Sequence, residues 1–458
     1  AADHFATALD ADSAYAEKIR KDEQWQYHAW TALISRTREE YNADRYDAAL
    51  RYARAAMAID PAKSQTYTLL ANAYSALGQY DEMRATADQL SKLDAGVAEA
   101  YNLLGMYFLQ KPESLWSAPE AKAARWDSSA YYYHQAIVQY EKRFNDARTG
   151  LAQRLKISES SRLDEVVWQL VERSRRQDQT ELKRYIEKDL GAAQKLVEVA
   201  AIASQLYFAA NNVNAASARA GTAMLRAAAE TKGEQSERFR SQAETLFSRA
   251  VAYDSSDFTA LFDLGIAQYQ AGKDAMAERS LEKVVEGATA PLNLLPDPLV
   301  DELLALITPD AAATGHLELA GAVADRVDSV LLARGRRTTG YHWFYFPDLK
   351  EKKGSASPTR ADTGTMFLST QQPQLLEQVY LWLGSSQTGL ASSMDPVNQK
   401  EARRAKFNQA IGSLLIALKL DPKSVDAYQN LGICYRETDQ KEKALAAFEA
   451  ADRIRKGR

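Results

Sequence analysis

The chain repeats itself every 34 residues, and no other feature narrows its possible folds as much. Tyr67, Leu70, Ala71 and Tyr74 return as Tyr101, Leu104, Gly105 and Phe108. Ala243, Phe247 and Ala250 return as Ala277, Leu281 and Val284, and Ala410, Leu414 and Ala417 as Ala444, Phe448 and Ala451. The large residues of each series recur at helical spacing on one face. The small ones (Ala71, Gly105 and Gly432, then Ala49, Ala277 and Ala444) let two helices cross closely. Such a unit leaves an apolar face that only a neighbouring unit can cover, so the units must stack. The expected fold class is all-α: an α-solenoid, a superhelix of helix–turn–helix repeats with non-repeat insertions.

Proline placement supports this reading. None of the 12 prolines falls between residues 120 and 290, whereas eight lie between Pro291 and Pro396. Because proline breaks helix interiors, the proline-free run reads as consecutive helices and the cluster after it as a change of architecture.

The repeated slots resemble the tetratricopeptide repeat, a 34-residue helix–turn–helix unit. In one copy Tyr428, Leu431, Gly432, Tyr435, Ala444, Phe448 and Ala451 occupy that family's signature positions in order. The 64–97 copy supplies Tyr67, Leu70, Ala71, Tyr74, Gly78, Ala87 and Leu90, and the 258–291 copy Leu261, Leu264, Gly265, Gly272, Ala277 and Leu281. The phrases ARAAMAIDP (Ala53 to Pro61) and IALKLDP (Ile416 to Pro422) match the family's closing segment. The resemblance implies that partners bind along a concave groove lined by the first helix, helix A, of each unit. In chaperone-binding members a two-carboxylate clamp needs Lys and Asn at fixed slots. Here those slots hold Thr68 and Asn72, Asn102 and Met106, Phe262 and Ile266, and Gln429 and Ile433. Only Asn72 fits, so an acidic chaperone tail is not the expected ligand. The neutral-to-apolar groove suits a partner helix or an extended hydrophobic segment, with Asn72, Asn102, Phe262 and Gln429 as candidate contacts.

The expected organisation is as follows: repeats over 1–149 with an insert near 111–128; long or degenerate helices over 150–235; central repeats over 236–310; a helix plus an aromatic and basic insertion over 311–373; and C-terminal repeats over 374–458, with a polar insert near 385–398. The 311–373 block carries the oddest chemistry. Tyr341, Trp343, Phe344, Tyr345 and Phe346 crowd around His342, after Arg334, Arg336 and Arg337. These nine residues are candidate partner contacts, whether as a plug for the solenoid's own groove, a docking arm or a stacking platform for single-stranded nucleic acid. In an extended segment consecutive rings alternate faces, so Tyr341, Phe344 and Phe346 cannot share one side.

Little else points to chemistry. The 57 basic and 61 acidic residues nearly cancel, which excludes a global polycation. A single cysteine, Cys434, leaves no intrachain disulfide and no thiolate zinc site, and among Leu431, Gly432 and Tyr435 it reads as a packed small residue. The five histidines have no metal-like spacing. Phosphate-loop, dinucleotide, zincin and nucleophile-elbow motifs are absent. No enzyme activity, cofactor or metal is therefore expected. The most apolar window, Val197 to Ala210, is interrupted by Glu198 and is shorter than the roughly 18–20 residues of a membrane span.

The expected function is a non-catalytic protein–protein interaction scaffold or adaptor in a larger, bacterial-style assembly, membrane-associated or oligomeric. It would bind other proteins through the concave groove and the inserts at 111–128, 335–373 and 385–398. The alternative is a nucleic-acid-associated helical-repeat protein using the 334–360 segment. The chain begins Ala1-Ala2-Asp3, and Phe5, Ala8 and Leu9 look like the tail of a second repeat helix. A processed or trimmed N-terminus and an exported, periplasmic setting are the corresponding expectations.

Overall fold

The computed structural model describes residues 1–93, 96–116, 124–176, 178–306, 316–319, 321–334, 336, 342–345, 366–369 and 373–457. It divides into two compact units, Ala1–Asp254 and Ser255–Arg458. The first unit contains α1 (Ala2–Ala11), α2 (Tyr15–Arg20), α3 (Glu23–Asn42), α4 (Tyr46–Ile59), α5 (Ser64–Ala76), α6 (Tyr80–Leu90), α7 (Val97–Gln110), α8 (Arg125–Leu155), α9 (Ser160–Arg175), α10 (Gln179–Arg184), α11 (Leu196–Glu230) and α12 (Glu234–Tyr253). The second contains α13 (Phe258–Gln270), α14 (Asp274–Ala288), β1 (Thr289–Pro291), α15 (Asp297–Ala305), β2 (His316–Glu318), α16 (Gly321–Ala333), β3 (His342–Tyr345), β4 (Met366–Ser369), α17 (Pro373–Ser393), α18 (Lys400–Leu420), α19 (Val425–Glu437) and α20 (Lys441–Arg455).

Four helix pairs turn in the same way: α3/α4, α5/α6, α13/α14 and α19/α20. Each first helix ends at a left-handed residue, with φ of 57° at Asp44, 72° at Gly78, 70° at Gly272 and 64° at Asp439. The next backbone N–H then donates to a carbonyl five residues back: Arg45 to Glu40, Gln79 to Tyr74, Lys273 to Gln268 and Gln440 to Tyr435, at 2.8–2.9 Å. This C-cap satisfies an orphan carbonyl and reverses the chain within a few residues. Glycine adopts it freely, and aspartate tolerates it better than most residues.

Three further pairs, α7/α8, α11/α12 and α17/α18, lack that tight turn yet close on the same kind of contact. A Cβ added at Gly105 would lie 2.8 Å from Tyr133, one at Gly221 2.8 Å from Phe247, and one at Gly384 2.6 Å from Leu414. The compact pairs show the same crossing at Gly265 on Leu281 (2.7 Å) and Gly432 on Phe448 (2.6 Å). In the compact pairs the two residues are 16 positions apart, and in the extended pairs 26 to 30. In α11/α12 and α17/α18 most of the extra residues lengthen the helices, whereas in α7/α8 they fall in the connection between Gln110 and Arg125.

This corrects the polar insert expected at 385–398, because residues 385–393 continue α17. Ser385, Ser386, Gln387 and Thr388 are buried. Their hydroxyls donate to carbonyls one turn back (Ser385 to Leu381, 2.8 Å; Ser386 to Trp382, 2.9 Å; Thr388 to Gly384, 2.7 Å). The Gln387 carbonyl accepts from Ser413 at 2.9 Å. Small polar side chains that bond to their own helix can be buried, so a polar composition here did not mean a loop.

The central repeats expected to run to residue 310 stop at Ala288, where α14 passes directly into β1. The four strands form one sheet in the order β1-β4-β3-β2, every pairing antiparallel. Ala290 and Leu368 pair in register and join Leu292, Leu295, Leu299, Leu303, Val327 and Leu331 from α15, α16 and the connections in one buried cluster. A small α/β module is thus inserted between α14 and α17, two helices that pack on each other.

Candidate interaction surfaces

The groove residues named from the sequence fall in both units. Asn72 is half-buried on α5. Asn102 on α7 is already engaged, since its carbonyl accepts from the Arg219 guanidinium of α11 at 3.2 Å. Phe262 is buried on α13, and Gln429 is half-buried on α19.

The aromatic and basic segment takes a regular place in the sheet. His342, Trp343, Phe344 and Tyr345 form β3, a central strand. His342 is buried and pairs with Ser369 on one side and Glu318 on the other. Trp343 occupies the register row of Leu317 and Leu368, both members of the module's apolar cluster. Arg334 is exposed at the end of α16, whereas Arg336 is half-buried and donates to the Glu286 carbonyl at the end of α14. Arg337, Tyr341 and Phe346 lie outside the described residues. In the 111–128 insert, Lys111 donates to Asp81 (2.9 Å) and to the Tyr107 hydroxyl (3.1 Å), while Trp116 stacks on Phe108 at 5.6 Å. The start of that insert is therefore tied to α6 and α7.

Sequence reasoning missed a groove in the first unit. Arg143, Asp146, Ala147 and Gly150 of α8 face Ile202, Gln205, Phe208, Ala209 and Asn212 of α11 across a space of about 520 Å³. Ala147 and Ala209 are buried and Gly150 has open space where a Cβ would stand, so the floor is low. Phe208 is 61% exposed and Val197, three turns earlier on the same face of α11, is 80% exposed. On the α8 side, Arg143 is fixed by two bonds to Glu99, at 2.5 and 3.1 Å. Those hydrogen bonds push the guanidinium further towards its charged state. A signal was present in the sequence: Val199, Ala203, Leu206 and Ala210 recur at helical spacing as one buried face, and Val197 and Phe208 fall outside it.

Cys434 is buried on α19, with its sulfur 3.1 Å from the Thr388 hydroxyl, and burial pushes the thiol up to about 11. At neutral pH it is a protonated packing residue, since nucleophilic cysteines require the thiolate. Among the described residues no cluster of His, Cys, Asp and Glu could hold a metal ion, and no helix is long and apolar enough to cross a membrane.

Models of the tetratricopeptide repeat match residues 41–107 and 414–446. No curated protein sequence matches the chain. Among solved structures, the chain is similar to the assembly chaperone of RpL4 (Acl4, residues 1–338), with 11% identity, 91% of this chain and 99% of that chain covered, and a TM-score of 0.35. It is also similar to the P58(IPK) TPR domain (14% identity, 93% and 96% covered, TM-score 0.19) and to yeast Tom70 (13%, 99% and 93%, 0.17).

Proposed function

We propose that this tetratricopeptide-repeat protein is a non-catalytic scaffold that holds other proteins in a larger assembly, and that the α8/α11 groove of its first unit is a principal docking face. The observation that carries this reading is Phe208, a large apolar side chain left mostly in water beside a low-floored groove. Exposed apolar patches with polar rims mark interaction sites more often than they occur by chance. Two long helices with small residues between them suit a third, amphipathic helix whose anchors repeat every three to four residues. The nucleic-acid alternative has less support. Arg336 is engaged with a backbone carbonyl and His342 is buried in a sheet, which removes both from an open stacking surface.

The test is affinity purification from the source cell, with a photo-crosslinking residue at position 208 and a Phe208→Glu variant in parallel. Crosslinks from position 208 to a protein that the Phe208→Glu variant fails to retain are expected. An unchanged partner set with no crosslink would end this reading. Arg334→Ser is the control, expected to keep the partners.

A further inference from the structure

The residue that packs over the helix A glycine is sealed in four pairs and open in one. Tyr133, Phe247, Leu281 and Leu414 are each 0% exposed, whereas Phe448, over Gly432, is 37% exposed. One turn before it Leu445 is 61% exposed, at the slot where Glu244 and Glu278 stand in two other pairs. Those two carboxylates are buried, whereas on α20 the slot is apolar and left in water.

Lys441, Leu445, Phe448 and Asp452 are spaced four, three and four residues apart, so they form one stripe along α20. All four are exposed. Lys443 lies elsewhere, over the Tyr435 ring at 5.4 Å and bonded to Gln440, and so leaves the stripe clear. The stripe reads cation, apolar, apolar, anion, and is its own complement when reversed. Two copies laid antiparallel about the midpoint between Leu445 and Phe448 bring each Leu445 against the other copy's Phe448. The same operation brings each Lys441 against the other copy's Asp452. A parallel arrangement would instead set Lys441 beside Lys441 and Asp452 beside Asp452, which is repulsive at both ends.

We propose that the α20 stripe is a homodimer interface, occupied by the same stripe of a second copy in antiparallel, two-fold symmetric pairing. An isologous contact of this kind requires one self-complementary patch, which the stripe supplies. A single helix face is smaller than the ~800 Å² per partner typical of stable complexes, so association at about 10–100 μM is expected. Asp452 is held by Lys456 at 3.2 Å in the free chain, an exposed pair that yields readily to a partner cation.

The test is sedimentation equilibrium of the full chain and of variants at exposed positions, which leave the repeat packing untouched. Leu445→Glu is expected to abolish dimerisation with unchanged helical circular dichroism. Lys441→Asp and Asp452→Lys are each expected to weaken self-association roughly 10-fold, because both symmetric pairs become repulsive. Mixed together, these two single variants should form a heterodimer, and the double variant should dimerise as the parent does. A parent that stays monomeric across this range, a dimer indifferent to Leu445→Glu, or single variants that fail to pair when mixed would each overturn the proposal. The Phe208→Glu variant should dimerise normally, which separates this outcome from that of the docking groove.

Discussion

The α19/α20 and α11/α12 pairs share one crossing and differ in nearly everything else. In both, a glycine on the first helix lies under a phenylalanine of the second, Gly432 under Phe448 and Gly221 under Phe247. In α19/α20 a left-handed Asp439 turns the chain at once, and the two residues are 16 apart. In α11/α12 they are 26 apart, and α11 extends well beyond the crossing at its N-terminal end, where it carries the groove and the exposed Phe208. The glycine contact therefore sets the helix crossing, while the length of the pair is free to vary and can add surface. Stacked repeats allow this because each unit answers mainly to its neighbours.

The sharpest test of that view is Gly→Val at the two crossings. At Gly221 the new side chain meets a fully buried ring that cannot move, and a loss of about 3 kcal/mol is expected. At Gly432 the half-open Phe448 can swing outwards, limiting the loss to about 1 kcal/mol. Equal losses in chemical denaturation would mean that the openness of Phe448 gives no relief, and would sink this difference between the two crossings.

A smaller effect is expected inside a compact pair. Burial, and then the nearby Asp257 charge, push the Asp263 carboxyl on α13 up to about 6. Between its unfolded value near 3.8 and about 6 the folded chain binds more protons than the unfolded one, so stability falls as pH rises through that window. Asp263→Asn should remove this slope and raise stability at pH 7 by about 2 kcal/mol, with little gain at pH 4. A parallel pH dependence in parent and variant would refute it.

The smallest effect concerns the tight turn. Gly272→Ala should cost about 1 kcal/mol, because φ is 70° there, while Asp439→Gly should be neutral or slightly stabilising. Thermal denaturation in which both changes were silent would show that the left-handed turn is incidental to the compact form.

The compact pairs were legible because a fixed period puts their large and small residues in the same slots, and the turn residues Gly78 and Gly272 stand where the family has them. Tyr380, Leu383 and Gly384 carry the same large and small slots. The continuation of their helix through Ser393 was not legible, because a serine-rich stretch looks like a loop until its hydroxyls are seen bonding to their own backbone. Gly221 was hidden among alanines, and its phenylalanine lay outside the usual spacing. The sheet was illegible for a different reason. Its strands are three or four residues long and pair across 21 to 80 residues, and local periodicity carries no record of such pairing. Of the candidate contacts, His342 to Tyr345 lie on a central strand, and the groove at Phe208 was overlooked because an apolar helix was weighed only as a membrane span.

The pairing of β1 with β4 has one more consequence. Thr289 follows α14 directly and lies opposite Ser369, four residues before α17 begins. The module therefore leaves and rejoins the repeat array at adjacent points, clasped by its own backbone ladder, and resembles a cassette more than a spacer. A short turn could replace it without displacing α14 from α17, since closing a small gap costs little chain entropy. Conversely, a different cassette could be set between the same two strands, giving the array a new appendage while its helices continue to stack undisturbed.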